Sequence, residues 1–419
     1  MWMRAWVMLV AMLAAAFVGG PVVLAHVPVN LSPERWPLRG MPTTDGPLDH
    51  QPVIFGPPVP PMDVPLGAAA DSDAFQKLML APADQQSTGS WTAVQSWPIV
   101  AVHIASMPSG EIMLFDAWET TGAPTARVWT PSTNTFRTVP NLLSQIFCAG
   151  QAMLPDGRAI TVGGWVDSDI GIKDTNVFNV STNQWTKVAS MANARWYPTA
   201  LTLGDGRVLV LGGEATPDNF VRVPEVYDPA SNNWTQLSAA ARETWNYPNV
   251  YGLANGLVFM LAGPDGQSMT LDVGRQQWQS IGFGPAPNGA SVMYAPGRFM
   301  STGSDPNPTA TGVVDMNAAT PVWRTTQSMA YPRFQHNLVL LPDGKVLAVG
   351  GADNVSLTTT SGIRPTEMWD PATETWTTMA SIQDLRMYHS TATLLPDGRV
   401  LSAGGGLDKV HSSVVAPSP

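Results

Sequence analysis

The repeat that decides the fold is clearest in the stretch Phe147-Cys148-Ala149-Gly150-Gln151-Ala152-Met153-Leu154-Pro155-Asp156-Gly157-Arg158. An apolar run ends there in Pro-Asp-Gly, and a second apolar run follows and ends in Gly163-Gly164. Asp-Gly between two apolar runs is a strong short-range signal for a β-hairpin, because glycine accepts a positive φ. The stretch therefore predicts two antiparallel strands joined by a tight turn.

Equivalent turns recur along the chain at intervals of about 45 to 50 residues. They are Pro108-Ser109-Gly110, Gly204-Asp205-Gly206, Ala254-Asn255-Gly256, Ala295-Pro296-Gly297, Pro342-Asp343-Gly344 and Pro396-Asp397-Gly398. Most copies then close on an aromatic residue, namely Phe136, Trp185, Trp234, Trp278, Trp323 and Trp376. This period matches the kelch repeat, in which each copy is one four-stranded blade. We predict an all-β, seven-bladed kelch-type β-propeller over residues 91–419.

The first strands outnumber the closing aromatics that follow them by one, and Trp91 precedes the first repeat. We predict that residues 91–95 form the outer strand of the last blade, which begins at Arg386. Such a strand closes the ring and removes the open sheet edge of a free last blade. The third strand of that blade is predicted near His411 to Val415.

The N-terminal segment has the pattern of an export signal. A short positive start, an apolar run and a small-residue cleavage site cover residues 1–25. The run is also long enough for an uncleaved membrane anchor. Residues 26–90 carry a proline every few positions, which favours an extended, unpaired leader. We expect a secreted or extracytoplasmic protein.

Composition narrows the possible functions. The chain has a net charge of -10 and no visible basic patch, so nucleic acid is not an expected partner. It holds one cysteine, Cys148, which cannot form an internal disulfide. A buried free cysteine is a common small hydrophobic residue, but an odd thiol in a secreted protein can also be reactive.

One position of the repeat varies in an unusual way. At the start of each first strand the chain carries, in order, Ala101, Cys148, Tyr197, Tyr247, Asn288, Gln335 and His389. In a propeller these positions converge on one mouth of the central channel. Tyr388 precedes the histidine, and a phenol beside an imidazole suits a Cu(II) site. Polar and redox-capable groups on a rigid frame indicate a functional site, although each could instead serve packing.

At these positions the sequence resembles the copper radical oxidases, the family of galactose oxidase and glyoxal oxidase. The segments that carry the resemblance are Phe147-Cys148, Ala194-Arg195-Trp196-Tyr197-Pro198-Thr199 and Arg386-Met387-Tyr388-His389-Ser390. The resemblance implies a thioether between Cys148 and Tyr197 that serves as a protein-derived radical cofactor. It also implies that Tyr197, Tyr388 and His389 bind copper, and that Tyr388 takes the substrate proton.

The implied activity is the oxidation of small aldehydes or primary alcohols by O2, with H2O2 as the second product. Each half-reaction moves two electrons whereas copper cycles by one, so a radical partner is required. Trp165, Tyr247 and Gln335 are candidates for supporting or substrate-facing roles. Trp165 is of interest because the family's aromatic cover is replaced here by Glu214-Ala215.

The resemblance also implies a further histidine ligand on a C-terminal sandwich domain, which we do not find before Pro419. His103 is a conceivable substitute. Two alternatives to the oxidase stay open. One is a non-catalytic propeller that descends from such an oxidase and serves as a binding module, and the other is an ordinary kelch interaction scaffold. In each case we expect a monomer.

Overall fold

The structure is a computed structural model that describes residues 53–56, 87–116, 125–166, 170–303, 305–354 and 362–405. The elements in these ranges are β-strands together with one 3-10 helix, Ser238–Ala240. The all-β prediction is therefore confirmed. The predicted signal segment, most of the predicted leader and the strand predicted near residues 411–415 lie outside the described residues.

Six sheets follow one another along the chain, and each is an antiparallel meander of consecutive strands. The strands of sheet 1 are His103–Ser106, Ile112–Phe115, Arg127–Thr130 and Thr135–Thr138. Those of sheet 2 are Gly150–Met153, Ala159–Val162, Thr175–Asn179 and Gln184–Lys187. A two-stranded ribbon, Trp165–Val166 and Ile170–Gly171, branches from its loop. Sheet 3 consists of Trp196–Thr202, Val208–Thr216, Asn219–Phe220, Glu225–Asp228 and Asn233–Gln236.

The next three sheets repeat the arrangement. The strands of sheet 4 are Val250–Gly252, Val258–Met260, Gln267–Asp272 and Gln277–Phe283. Those of sheet 5 are Ala290–Ala295, Arg298–Thr302, Thr311–Asp315 and Arg324–Thr325. Those of sheet 6 are Asn337–Leu340, Val346–Val349, Pro365–Asp370 and Thr375–Ser381. Each repeat of the sequence thus forms one antiparallel sheet of about four strands. Such a series of sheets is the blade arrangement of a β-propeller.

Sheet 7 combines two strands from the N-terminal part of the chain with the last two described strands. Strand Ser390–Leu394 pairs with Val400–Gly404, which pairs with Val53–Gly56, and that strand in turn pairs with Ser90–Trp91. The prediction that the leader avoids sheet pairing is wrong for residues 53–56. The reason is local, since these four residues lie between Pro52 and Pro57 and each retains a backbone N–H.

Three of the closing aromatics share one hydrogen-bonding role. The indole N–H groups of Trp185, Trp234 and Trp278 donate to backbone carbonyl groups next to the preceding sheet, at 2.9, 2.8 and 2.9 Å. Trp91 does the same in sheet 7, where it donates to the Ala380 carbonyl in sheet 6 at 3.1 Å. A buried indole needs such a partner, so this tie fixes the packing of one sheet on the next.

Apolar side chains fill the spaces between successive sheets. One cluster packs Phe115 of sheet 1 against Phe178 of sheet 2. Another packs Leu114 and Trp129 of sheet 1 against Leu401 of sheet 7. Burying one such large side chain contributes roughly 1.5–3 kcal/mol. The frame is therefore stabilised from sheet to sheet, which leaves the loops that precede the first strands available for chemistry.

Candidate active site

The residues that precede the first strands share an unusual backbone conformation. Most of the positions singled out in the sequence have a positive φ: Cys148 57°, Tyr197 59°, Tyr247 47°, Gln335 54° and His389 64°. Left-handed backbone is uncommon outside glycine and costs about 1–3 kcal/mol per residue. Its recurrence at equivalent places in sheets 2, 3, 4, 6 and 7 marks these positions as one feature of the repeat.

Backbone hydrogen bonds between sheets hold this conformation in place. The Tyr197 N–H donates to the Cys148 carbonyl at 3.0 Å, and the Tyr247 N–H donates to the Tyr197 carbonyl at 2.8 Å. Tyr197 and Tyr247 are therefore each bonded to their left-handed counterpart in the previous sheet. The side chains of the three residues are brought to neighbouring places as a result.

Two of the predicted copper ligands are in direct contact. The hydroxyl oxygens of Tyr197 and Tyr388 are 2.8 Å apart, although the residues lie in sheets 3 and 7. The Tyr388 ring stacks on the His389 ring, with centroids 3.9 Å apart. Tyr197 is buried, whereas Tyr388 and His389 are partly exposed. The structure thus brings the three predicted donors, two phenols and one imidazole, into one group.

The thiol lies beside this group. Cys148 is buried in an apolar cluster with Tyr197, Phe147 and Trp165. The Tyr247 hydroxyl lies next to it and donates a hydrogen bond to the carbonyl of the following residue, Ala149, at 3.4 Å. The predicted cofactor pair and two of the predicted supporting residues therefore occupy the same place.

Burial controls the protonation of the phenols. Desolvation raises the pKa of Tyr197 well above its usual value, and the neighbouring Cys148 and Tyr388 side chains raise it further. The pKa of Tyr247 is likewise raised by burial of its hydroxyl and by Cys148, although part of the ring is exposed. Both phenols are therefore neutral in the metal-free protein, and ionisation of Tyr197 requires a nearby positive charge.

The ring of Tyr197 contacts the ring of its neighbour Trp196. The two ring centroids are 4.2 Å apart with an interplanar angle of 31°. Trp165 reaches the cluster through Phe147, with centroids 5.9 Å apart in an edge-on arrangement. Trp196 is a residue that the sequence reasoning quoted without giving it a role. The signal was its place inside the Arg-Trp-Tyr-Pro-Thr segment.

His103 contacts the cysteine rather than the copper donors. Its Nε2 accepts a hydrogen bond from the backbone N–H of Cys148 at 3.1 Å, and its ring stacks on Phe115 at 4.4 Å. Burial, and then the nearby His389, lower the pKa of His103 to about 3, so the imidazole is neutral. Because this hydrogen bond uses Nε2, the structure gives no support to His103 as a substitute ligand.

Glu214 and Gln335, two further positions discussed from the sequence, do not contact the tyrosine hydroxyl pair through any hydrogen bond between described residues. The Glu214 carboxylate is buried and accepts hydrogen bonds from the Asp218 N–H at 2.9 Å and from the Asn246 amide. A buried carboxylate thus stands where the resemblance implies an aromatic residue. Gln335 has the shared left-handed backbone, but within the described residues no hydrogen bond joins it to the tyrosines.

The donor set fits copper better than the common metals of carboxylate and thiolate sites. Among the residues that the structure describes, no group of three or more His, Cys, Asp or Glu side chains could hold a metal ion. Tyr197, Tyr388 and His389 instead offer oxygen and nitrogen donors, which Cu(II) prefers in tetragonal geometry. The three donors leave coordination positions for a further ligand and for substrate.

Comparison with known proteins agrees with this chemistry. The family model described as "Glyoxal oxidase N-terminus" matches residues 119–279 and 286–415. A galactose oxidase of Gibberella zeae is 28% identical over 189 residues, which are 39% of this chain and 27% of that protein. The aldehyde oxidase GLOX of Vitis pseudoreticulata is 30% identical over 190 residues, 38% of this chain and 36% of that protein.

A solved structure shares the architecture. It is titled "Novel fungal alcohol oxidase with catalytic diversity among the AA5 family, in complex with copper" and matches with a TM-score of 0.67 at 25% identity. The match covers 78% of this chain and 74% of that chain. The alignments with the curated relatives span only 27% and 36% of their lengths. From the family model, these relatives and this structure, the chain belongs to the copper radical oxidase family of the galactose and glyoxal oxidases.

Proposed function

We propose that this protein is a secreted copper radical oxidase that oxidises small aldehydes or primary alcohols with O2 and releases H2O2. The observation that carries the proposal is the 2.8 Å contact of the Tyr197 and Tyr388 hydroxyl groups beside His389, with Cys148 in the same buried cluster as Tyr197. The similarity to a galactose oxidase and to an aldehyde oxidase supports the substrate class.

The proposed architecture is a seven-bladed propeller over residues 91–419, preceded by a signal peptide at 1–25 and a leader at 26–90. Sheet 7 is the seventh blade, and the N-terminal strands close the ring. The Trp91 indole tie to sheet 6 and the apolar cluster between sheets 7 and 1 support this closure. A monomer is the proposed state. Within the described ranges no helix is long and apolar enough to cross a membrane.

The two tyrosines have different proposed roles because their surroundings differ. Tyr197 is buried among Trp196, Trp165 and Cys148, which suits a phenol that stores an oxidising equivalent away from solvent. Tyr388 is partly exposed and stacks on His389, so substrate can reach it. We assign to Tyr388 the removal of the substrate hydroxyl proton, a general-base step worth about 10²–10⁴-fold in rate. Copper, held by Tyr197, Tyr388 and His389, supplies a one-electron redox couple when it is bound.

Formation of the cofactor balances without any added reductant. The Cys148 S–H and one ring C–H ortho to the Tyr197 hydroxyl are lost as the carbon–sulfur bond forms. The two protons and two electrons released reduce one O2 to H2O2. The ortho sulfur makes the phenol easier to oxidise, which explains why the one cysteine of an exported chain lies beside this tyrosine.

The test is intact mass after purified, metal-free protein is exposed to Cu(II) and air. We expect the wild-type mass to fall by two hydrogens and the free thiol of Cys148 to disappear, with H2O2 formed when glyoxal, methylglyoxal or galactose is added. We expect Tyr197→Phe to abolish the mass loss, the loss of the thiol and the formation of H2O2. Tyr251→Phe is the matched control, because Tyr251 of sheet 4 is also a hydrogen-bonded tyrosine, whose hydroxyl is 2.7 Å from that of Ser291 in sheet 5. A free thiol that persists in the wild type overturns the proposal.

A further inference from the structure

The backbone N–H of Cys148 departs from the hydrogen-bonding series of its counterparts. Tyr197 and Tyr247 donate their N–H groups to the carbonyl of the left-handed residue in the previous sheet. For Cys148 the corresponding residue of the previous sheet is Ala101, whose carbonyl accepts the Thr391 hydroxyl at 2.9 Å. The Cys148 N–H donates instead to Nε2 of His103 at 3.1 Å. An imidazole thus takes the place that a backbone carbonyl has elsewhere.

We propose that His103 is a positioning residue that holds Cys148 in the left-handed conformation from which its thiol meets Tyr197. This inference rests on the proposed function, since it concerns formation of the Cys148–Tyr197 bond. With Nε2 as the acceptor, the ring proton lies on Nδ1. The imidazole orientation is fixed by stacking on Phe115 at 4.4 Å and by the edge-on Phe147 at 6.1 Å.

The consequence is that Cys148 is held from two directions. Its N–H is bonded to His103 of sheet 1, and its carbonyl accepts the N–H of Tyr197 of sheet 3 at 3.0 Å. The second bond links the cysteine directly to the residue with which it must react. The first bond prevents rotation of the peptide that precedes Cys148. Together they place sulfur and phenol ring in register before any chemistry, and misplacement by about 1 Å can cost on the order of 100-fold in rate.

The first experiment uses copper-free protein and so does not depend on cofactor formation. Hydrogen–deuterium exchange of the Cys148 amide is compared among wild type, His103→Leu, His103→Gln and His336→Leu. The glutamine variant keeps an acceptor, and His336 is a matched control, a buried histidine that bonds Thr302 at 2.7 Å. We expect exchange at Cys148 to rise about tenfold in His103→Leu, as loss of one hydrogen bond predicts, and to stay near wild type in the other two. Unchanged protection in His103→Leu overturns the proposal.

The second experiment measures the rate of the two-hydrogen mass loss after copper and O2 are added. We expect His103→Leu to be slower by about 10- to 100-fold, His103→Gln to recover part of the rate, and His336→Leu to match the wild type. A wild-type rate in His103→Leu contradicts the positioning role. If the wild type itself forms no cross-link, the proposed function fails, and the exchange measurement still decides whether His103 holds Cys148.

Discussion

Two similar segments, one before sheet 6 and one before sheet 7, differ by one residue in length between their arginine and their left-handed residue. We propose a packing role for the first and a role in copper binding for the second. Arg333-Phe334-Gln335-His336 precedes sheet 6, and Arg386-Met387-Tyr388-His389 precedes sheet 7. Each begins with a buried arginine that donates to the carbonyl of a glycine in its own sheet, Gly350 or Gly404, at 2.6 Å. Arginine and histidine stand at the same spacing in both segments, yet the two histidines have different surroundings.

The two first strands begin one residue apart relative to the glycine pair of the neighbouring strand. In sheet 6 the strand begins with Asn337, which pairs with Val349, the residue before the first glycine. In sheet 7 it begins with Ser390, which pairs with the glycine Gly404 itself. The left-handed residue is therefore Gln335 in one sheet and His389 in the other. The extra residue in sheet 7 allows both a tyrosine and a histidine to reach the site, whereas His336 turns to Thr302.

The arginines differ in their counter-charges. Arg333 forms a buried ion pair with Glu367 of the third strand, at 2.9 Å. Arg386 is 3.8 Å from Asp384, and the residue at the place that corresponds to Glu367 is Val53. Within the described residues, Nε and one terminal nitrogen of Arg386 make no hydrogen bond. Arg333 thus has a short buried ion pair, whereas the ion pair of Arg386 is longer and leaves two of its nitrogens without a hydrogen bond to the described residues.

The largest expected effect is on turnover, and it separates the two segments directly. Tyr388→Phe removes the proposed proton acceptor, so we expect kcat with glyoxal to fall by about 10²–10⁴-fold. Gln335→Leu, at the corresponding part of sheet 6, is expected to change kcat by less than about tenfold, because Gln335 does not join the hydroxyl pair. Steady-state peroxide assays on both variants measure this. Equal losses would show that the two segments contribute alike.

The next largest effect is on stability, and it concerns the segment before sheet 6. Glu367→Gln leaves the buried Arg333 without a counter-charge, and we expect the free energy of unfolding to fall by about 3–5 kcal/mol. Asp384→Asn is the matched change in sheet 7, and we expect less than about 1 kcal/mol because the pair is already long. Urea denaturation of both variants in the metal-free state gives the values. A large loss in Asp384→Asn would mean that Arg386 depends on this carboxylate.

Copper affinity is expected to distinguish the two histidines. His389→Gln removes a proposed ligand, and since loss of supporting residues alone costs about 10–100-fold in metal affinity, we expect a loss of at least 100-fold. His336→Gln is expected to leave the affinity unchanged, because His336 bonds Thr302. Competition with a chelator of known copper affinity measures both. A comparable loss in the two variants would contradict the assignment of His389 as the ligand.

Much of this arrangement could be predicted from the sequence. The Asp-Gly turns, the glycine pairs and the closing tryptophans predicted the blades, because these signals are local and repeat. The cysteine, the tyrosines and His389 stood out because the repeat makes their positions comparable. Strand Val53–Gly56 could not be predicted, since only its partner in sheet 7 distinguishes it from the rest of a proline-rich segment.

Other features depend on contacts between sheets that no local pattern encodes. The role of His103 rests on one hydrogen bond to a residue 45 positions away. The tilted contact of Trp196 with Tyr197 occurs where the Tyr197 backbone is left-handed. The longer ion pair of Arg386 stands out only after the strand registers of sheets 6 and 7 are compared. Sequence reasoning thus proposes the reactive groups, and the structure shows which residues contact them.

The smallest expected effect concerns acid sensitivity, and it arises from the histidine of the packing segment. Burial, and then the neighbouring Arg333, lower the pKa of His336 to about 3, whereas an unfolded histidine titrates near 6.5. The unfolded chain therefore takes up a proton that the folded protein refuses, and stability is lost as pH falls below 6.5, by up to about 1.4 kcal/mol per pH unit. His336→Gln removes this contribution, so from pH 6.5 to 5 the variant should lose about 2 kcal/mol less than wild type in metal-free urea denaturation. Parallel pH profiles would show that His336 is protonated in the folded protein, and the contrast with His389 would then rest on geometry alone.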